Sequence, residues 1–416
     1  MDRKVLELVA SEEGRHRRTV SLIASENYPS PTALRVLSSL FAMKMAVGYP
    51  GRRASTGCEF VDVVERLAKE RAEKLFGAEH ANVQCTSGSQ ANFAVYFAAL
   101  ELGDIVMAPP LHISDSSQGG NGNISSRDYR FLRYEIDDVT GEVNYAGLRE
   151  HALRLRPRLI MAGASSYPRI VDFTRFRAIC DDVGARLLVD AAHLAGLIAG
   201  GVHPPAFPVA DYMTCSSHKT MRGPRGGGLV LCRARDAETV DRAVTPGVQT
   251  SPVVSGVAAC AVMLGEALRD SFRLYQEQVI RNCRVLAAAL EKAGFTLAFG
   301  GTETHLLVLD LAELSVSGEQ AMELLGRIGI LSSRARLAKD VPPGRPTSGL
   351  RLGTAAVTTR GMGEAEMEKL AALIGGVLKS PDRDGDREEL RREVEEMAAR
   401  FPLFSEASTG EASEAE

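Results

Sequence analysis

Short uninterrupted apolar runs alternate with amphipathic stretches through the first half of the chain. Leu159-Ile160-Met161-Ala162, Leu187-Leu188-Val189 and Leu229-Val230-Leu231 are followed by Gly163, Asp190 and Cys232. Such runs are expected of strands buried on both faces of a parallel sheet. Between them apolar positions recur every three or four residues, as Val64, Leu67, Ala68 and Leu75 do within 61–76, and as residues 145–155 do. That spacing predicts helices with one face packed. The alternation over about 62–232 predicts an open α/β sheet, in which ligands bind beyond the carboxyl ends of the strands. Further on, 255–293 reads as long helices. Strands near 305–311 and 349–352, with helices near 318–328 and 362–378, predict a smaller α+β domain. A charged link at 380–386 leads to a helix over 387–401 with charge pairs at i,i+4, and the acidic end from Ser405 predicts disorder. The expected layout is a helical arm over 1–20, a large domain over 21–270, a small C-terminal domain over 271–403 and a tail over 404–416.

Composition narrows the classes. With 416 residues, 45% of them hydrophobic, the chain can fill two or three cores, which excludes a peptide hormone or a disulfide-stapled module. Of its 53 acidic residues, Glu406, Glu411, Glu414 and Glu416 lie in the tail, so the body balances 49 acids against 49 bases. Nucleic-acid binding needs a basic excess, at least locally, and is not expected. Seven scattered cysteines without a CxxC pair argue against a disulfide framework or a zinc ribbon. The charged N-terminus and the lack of any run near the ~18 apolar residues of a membrane span predict a soluble, cytoplasmic protein that does not engage a membrane.

Three strand ends carry candidate chemistry. Lys219, beside His218 in Thr214-Cys215-Ser216-Ser217-His218-Lys219-Thr220, follows a strand and precedes a Gly/Arg-rich turn, a place suited to a partly desolvated amine able to form a Schiff base. A solvated surface lysine is the alternative. Asp190 ends a fully apolar strand, where a lone carboxylate is costly unless a cation such as a pyridinium nitrogen meets it, although an aspartate capping the next helix has the same appearance. Thr86-Ser87-Gly88-Ser89-Gln90-Ala91-Asn92 joins a strand around 82–84 to a helix over 91–100. Its small residues and hydroxyls suit a phosphate at a helix N-terminus, or plain N-capping. Taken together, amine, acid and phosphate cup specify pyridoxal phosphate.

The chain also resembles the serine hydroxymethyltransferase family, of the aspartate-aminotransferase fold (fold type I). The resemblance is nearly full-length. It rests on Leu22-Ile23-Ala24-Ser25-Glu26-Asn27-Tyr28, Gly48-Tyr49-Pro50-Gly51, Gly57-Cys58-Glu59-Phe60-Val61-Asp62, Ser87-Gly88-Ser89-Gln90-Ala91-Asn92, Val189-Asp190 with His193, His218-Lys219-Thr220, Gly223-Pro224-Arg225-Gly226-Gly227 and Ser348-Gly349-Leu350-Arg351. It implies a large domain with a mostly parallel sheet and a smaller C-terminal α+β domain. It further implies that Lys219 attaches pyridoxal phosphate, that Asp190 pairs with the ring nitrogen, and that Ser87, Gly88 and Ser89 hold the phosphate. His112 falls where the ring-stacking histidine lies if the preceding loop carries one deletion. Ser165 and His193 are implied at the cofactor's phenolic oxygen or the substrate, and Arg351 with Ser25 as the clamp on an amino acid's carboxylate, which the fork of an arginine matches. A homodimer or homotetramer is implied, with segment 246–252 reaching a neighbouring subunit.

Departures from the family cluster near the substrate. Met45 stands at a tyrosine position, Val47 replaces a proton-shuttling glutamate, and Ala54, Ser55 and Thr56 replace a Tyr-Tyr-Gly run. Ala335 stands where an asparagine meets the pterin, Gln249-Thr250-Ser251 where a glycine pair reaches across subunits, and the loop over 111–116 lacks a Gly/His-rich run. Neither Met nor Val handles a proton, and the lost contacts weigh against tetrahydrofolate. The expected activity is making or breaking the Cα–Cβ bond of a β-hydroxy-α-amino acid without folate, with His112 or His193 as the acid–base group. The alternatives are folate-dependent hydroxymethyl transfer between serine and glycine, another pyridoxal reaction such as transamination or racemisation, and a non-catalytic relative.

Overall fold

The computed structural model describes residues 2–340, 346–381 and 387–404, which form two compact units, one over 27–277 and one combining the residues up to 26 with those from 278. These boundaries fall at 26/27 and 277/278, where the sequence placed them at 20/21 and 270/271. The acidic tail lies outside the described residues.

The unit over 27–277 is built on seven strands: β1 (His80–Cys85), β2 (Ile105–Ala108), β3 (Arg130–Arg133), β4 (Leu159–Ala162), β5 (Arg186–Asp190), β6 (Tyr212–Ser216) and β7 (Gly228–Cys232). Their order is β1-β7-β6-β5-β4-β2-β3. Contacts from β6 through β3 are parallel, and β7 runs antiparallel to both neighbours. Every residue of β1, β4, β6 and β7 is buried, as strands covered on both faces must be.

Connecting helices supply the cover. α1 (Glu59–Phe76) buries Val61, Ala68, Ala72 and Phe76 and ends at Gly77, whose φ of 65° closes the last turn. α2 (Gly88–Ala99) packs Ala91, Ala94 and Val95 into a core with Val106, Leu159, Met161, Leu188 and Val230 of the sheet. Each Val, Leu or Met among them contributes about 1.5–3 kcal/mol on full burial. α3 (Tyr145–Leu155) and α4 (Phe173–Val183) follow, α4 capped by Asp172 accepting from the Thr174 and Arg175 amides. α5 (Val254–Ala267) is almost wholly buried. The chain passes into the other unit within α6 (Asp270–Lys292).

In that unit β8 (Thr296–Leu297), β9 (Leu306–Asp310), β10 (Ser333–Ala335) and β11 (Gly349–Gly353) form an antiparallel sheet of order β8-β9-β11-β10. Helices α7 (Gly318–Arg327), α8 (Glu364–Lys379) and α9 (Arg387–Arg400) bury Leu325, Leu370, Ile374, Val394 and Met397 in its core. A two-residue strand, Val20–Ser21, pairs in parallel with Ile330–Leu331, which is why the N-terminal residues group here. Among the described residues no helix is long and apolar enough to cross a membrane.

Candidate active site

The fold brings four strand ends of the larger unit together. β1 ends at Cys85, and Ser87 then caps α2 by accepting from the Gln90 amide at 3.1 Å. Gly88 and Ser89 open this twelve-residue helix, so their N–H groups lack acceptors within it and the helix dipole points its positive end at the same spot. β7 starts immediately beside this turn. A Cβ on Gly228 would sit 2.2 Å from the Ser87 carbonyl oxygen, so only glycine allows the close approach.

Asp190 ends β5 and is buried. Its Oδ2 accepts from Asn92 Nδ2 at 2.8 Å and from Gln118 Nε2 at 2.7 Å, and its Oδ1 from the Ala192 amide at 3.1 Å. Burial pushes the carboxyl up from its ordinary range, against the pull of Asn92 and the Ala192 amide. The charge of Asp115 adds to the push, and that of Lys219 opposes it. At the end of β4, Gly163 holds a φ of 103°, and a Cβ there would meet the Asp190 carbonyl oxygen at 2.2 Å.

Beyond β6, His218 and Lys219 are half-buried. The Lys219 carbonyl accepts from Asn27 Nδ2 at 2.9 Å and from the Arg222 amide at 3.1 Å, which fixes the backbone beneath the amine. His218 is pulled down to about 3 by burial and by the charges of Lys219 and Arg225, so its imidazole is neutral, and its Nδ1 is buried without a partner. His193 is buried beside Asp190 in sequence, and its carbonyl accepts from Thr220 Oγ1 at 3.0 Å.

The loop between β2 and β3 supplies residues that sequence reasoning missed. Asp115 Oδ1 accepts from the Ser117 amide at 2.9 Å and from Ser117 Oγ at 2.7 Å, with Ser89 Oγ 3.5 Å away. Ser117 Oγ in turn accepts from Asn92 Nδ2 at 3.0 Å. His112 of the same loop, expected against the cofactor ring, is paired through Nε2 with Asp138 Oδ1 at 2.9 Å. Ser165 Oγ donates to the Ile113 carbonyl at 3.0 Å, tying the end of β4 to this loop.

Ser25 and Arg351 belong to the other unit. Arg351 lies on β11, its Nε donating to Ser333 Oγ at 3.2 Å, and burial pulls its guanidinium down to about 10. Segment 22–25 is pressed against the end of the same strand. The Gly353 amide donates to the Leu22 carbonyl at 2.7 Å, and a Cβ on Gly353 would come within 2.5 Å of Ala24 Cα.

Segment 40–57, where the departures cluster, is held by Arg53. This guanidinium is 4% exposed and reaches Asp62 Oδ1 at 2.8 Å, Glu65 Oε2 at 2.5 Å and the carbonyls of Ala46 and Gly48. Met45 is 67% exposed. Tyr49 is the one residue of the segment with an acid–base side chain other than the cations Lys44, Arg52 and Arg53. Its hydroxyl donates to the Asp241 carbonyl at 2.6 Å and accepts from Asn82 Nδ2 at 2.9 Å, and burial pushes its pKa upward.

These groups fit pyridoxal phosphate: a helix N-terminus with two serines for the phosphate, a buried carboxylate with Oδ1 capacity to spare for the ring nitrogen, and an amine beyond the adjacent strand of the same sheet. The buried, unpartnered Gln118 Oε1 and His218 Nδ1 are the orphaned polar atoms of a cradle shaped for another molecule. A model of the serine hydroxymethyltransferase family matches residues 1–374 of the chain.

Proposed function

We propose that this chain, which belongs to the serine hydroxymethyltransferase family and is a pyridoxal-phosphate-dependent enzyme of fold type I, makes or breaks the Cα–Cβ bond of a β-hydroxy-α-amino acid without tetrahydrofolate. The observation that carries the reading is segment 40–57. It holds no Asp, Glu or His, and its one phenol, Tyr49, is spent on Asp241 and Asn82. A group that must pass a proton to a folate-bound carbon is missing from it.

Pyridoxal phosphate, when bound, supplies an electron sink for charge developing at the substrate's Cα. The remaining work falls to side chains. Lys219 is the amine that would hold the cofactor covalently, the α2 N-terminus with Ser87, Gly88 and Ser89 would neutralise its phosphate, and Asp190 would accept from its ring nitrogen. Ser165 and neutral His218 would lie beside it. Arg351 with Ser25 holds the substrate carboxylate in a two-point clamp. His193 takes the proton of the β-hydroxyl as the Cα–Cβ bond breaks, and returns it in the reverse direction. His112, fixed by Asp138, is the second imidazole available. The aldehyde leaves with the former β-carbon, and a proton delivered to Cα in place of the broken bond completes glycine.

We further infer a homodimer or homotetramer in the cytoplasm. Leu40, Met43, Phe60 and Val63 are more than half exposed, an apolar surface that a second copy would cover, and all seven cysteines are free, as in a reducing compartment. Light scattering returning a monomer with cofactor bound would overturn the assembly.

The test is to incubate purified holoenzyme with threonine and arylserine stereoisomers, without folate, and follow aldehyde release together with exchange of the α-proton of glycine. Release from at least one isomer is expected, and neither release nor exchange would overturn the proposal. The match across 1–374 favours one second reading, folate-dependent hydroxymethyl transfer. A new absorption band on adding tetrahydrofolate to the enzyme with glycine would select it.

A further inference from the structure

The loop between β2 and β3 holds a carboxylate that none of the assigned roles employs. Asp115 is half-buried and lies between two parts of the cradle. On one side is Ser89 Oγ, 3.5 Å away at the head of α2. On the other, hydrogen bonds run from Asp115 to the acid of the ring-nitrogen site. Ser117 donates its hydroxyl proton to Asp115, so a lone pair of Ser117 Oγ is left to face Asn92, whose Nδ2 donates one proton to Ser117 Oγ and the other to Asp190 Oδ2.

The direction of each donor follows from the charge at the end of the chain. A carboxylate can only accept, so Ser117 must donate to it. A hydroxyl that has donated its proton can only accept from Asn92, which turns the amide nitrogen and not the oxygen toward Asp190. Thr214 Oγ1 donating to Asn92 Oδ1 at 2.6 Å holds the same orientation from the far side. Ser117 itself is 1% exposed, and its carbonyl is fixed by Tyr96. Were the Ser117 hydroxyl free to turn, Asn92 could present its oxygen to Asp190, and a buried carboxylate would lose one of its two amide donors.

We propose that Asp115 is a positioning residue of the ring-nitrogen site, acting through Ser117 and Asn92 to keep Asp190 supplied with donors facing the ring nitrogen, an effect that outweighs the repulsion between the two carboxylates. The inference rests on pyridoxal phosphate occupying the cradle. It adds a residue three positions from His112, the one expected from sequence.

The experiment reads the ring nitrogen and not turnover. Apoprotein is reconstituted with pyridoxal phosphate labelled with nitrogen-15 in the ring, and the nitrogen resonance is recorded, with Asp190→Asn marking the position of the neutral pyridine. Asp115→Leu, which removes the acceptor, is expected to move the resonance from the wild-type position toward that of Asp190→Asn. Asp115→Asn keeps an oxygen for Ser117 and is expected to stay near wild type. An unmoved resonance in Asp115→Leu overturns the proposal, as does a shift in Asp115→Asn as large as that in Asp115→Leu. If Asp115→Leu does not fold, Ser117→Ala cuts the same path and is expected to give the same shift, an unmoved resonance again being contrary. Wild-type protein that takes up no cofactor would overturn the cradle itself, whereas a normal wild-type spectrum with an unmoved variant overturns this inference alone.

Discussion

Replacing Arg53 by Met tests whether the segment bearing Met45 and Val47 is held by charge. The Arg53 side chain is 4% exposed, as are only 14% and 6% of the side chains of its partners Asp62 and Glu65. Methionine keeps roughly the aliphatic stem but removes a cation from between two carboxylates and a donor from the Ala46 and Gly48 carbonyls. Breaking a buried pair by deleting one partner costs about 3–5 kcal/mol, because the other charge is left uncompensated. For a domain of ~150–250 residues each kcal/mol moves the melting temperature by roughly 2–4 °C, so a fall on the order of 6–20 °C is expected.

The loss should be coupled to Glu65 and to pH. Burial already pushes the Glu65 carboxyl up, against the pull of Arg53 and Gln84, and without Arg53 it rises further. A carboxyl with a raised folded-state pKa keeps more protons folded than unfolded, so its contribution is full below its unfolded value and lost as pH rises. The deficit of Arg53→Met is therefore smallest in mild acid and grows toward neutrality. Adding Glu65→Gln, which keeps the acceptor for Gln84 Nε2, should recover a large part of it. Urea unfolding of the four proteins of this cycle measures the coupling. A loss below about 1 kcal/mol in Arg53→Met, or no recovery in the double variant, would refute the account.

Other consequences are more direct. Asp190→Asn removes a charge-assisted hydrogen bond worth about 1.5–3 kcal/mol, so pyridoxal phosphate titrated into apoprotein should bind roughly 10–150-fold more weakly; equal affinity would remove Asp190 from the site. In wild-type apoprotein the raised Asp190 pKa stabilises below its unfolded value and ceases to as pH rises through the folded one, so calorimetry should show added cofactor stabilising more near neutrality than in acid. All seven cysteines are buried, and burial pushes Cys85, Cys180, Cys232, Cys260 and Cys283 up to about 12. Native protein should therefore release almost no colour with a thiol reagent and denatured protein seven equivalents. Gly163→Ala forces a Cβ to 2.2 Å from the Asp190 carbonyl oxygen at a φ of 103°, and should lower thermal stability and cofactor occupancy together.

What the sequence makes legible follows from where each signal is stored. β4, β5 and β7 are read from continuous apolar runs because both faces of each are covered, and Asp190 stands out because a charge ends such a run. α3 is found at the residues predicted, 145–155, since its apolar spacing alone defines it. β3, with the sequence Arg130-Phe131-Leu132-Arg133 at the sheet's edge, is only half covered and carries no such run. Asp115 and Gln118 lie in a polar loop without periodicity, where nothing local indicates that β2 and β5 will bring them to Asp190. For the same reason only the resemblance draws attention to this loop, at His112; in the folded loop His112 pairs with Asp138 while Asp115 meets Ser89 and Ser117.

Several of the places where this chain breaks the rules of a well-formed core lie in the cradle. A buried aspartate carries a raised pKa, a neutral histidine and a glutamine keep unpartnered atoms, and Gly163 and Gly228 admit backbone approaches that no side chain allows. Such features cost stability in the empty protein and are relieved by a ligand offering a cation to Asp190 and polar atoms to Gln118 and His218. Segment 40–57 shows the opposite pattern. Its buried cation, Arg53, is paired with Asp62 and Glu65, its phenol is satisfied, and Met45 and Ser55 are among the residues that face solvent. The cradle is thus under strong physical constraint, while segment 40–57 carries no carboxylate or imidazole, the feature on which the proposed folate-independent reaction rests.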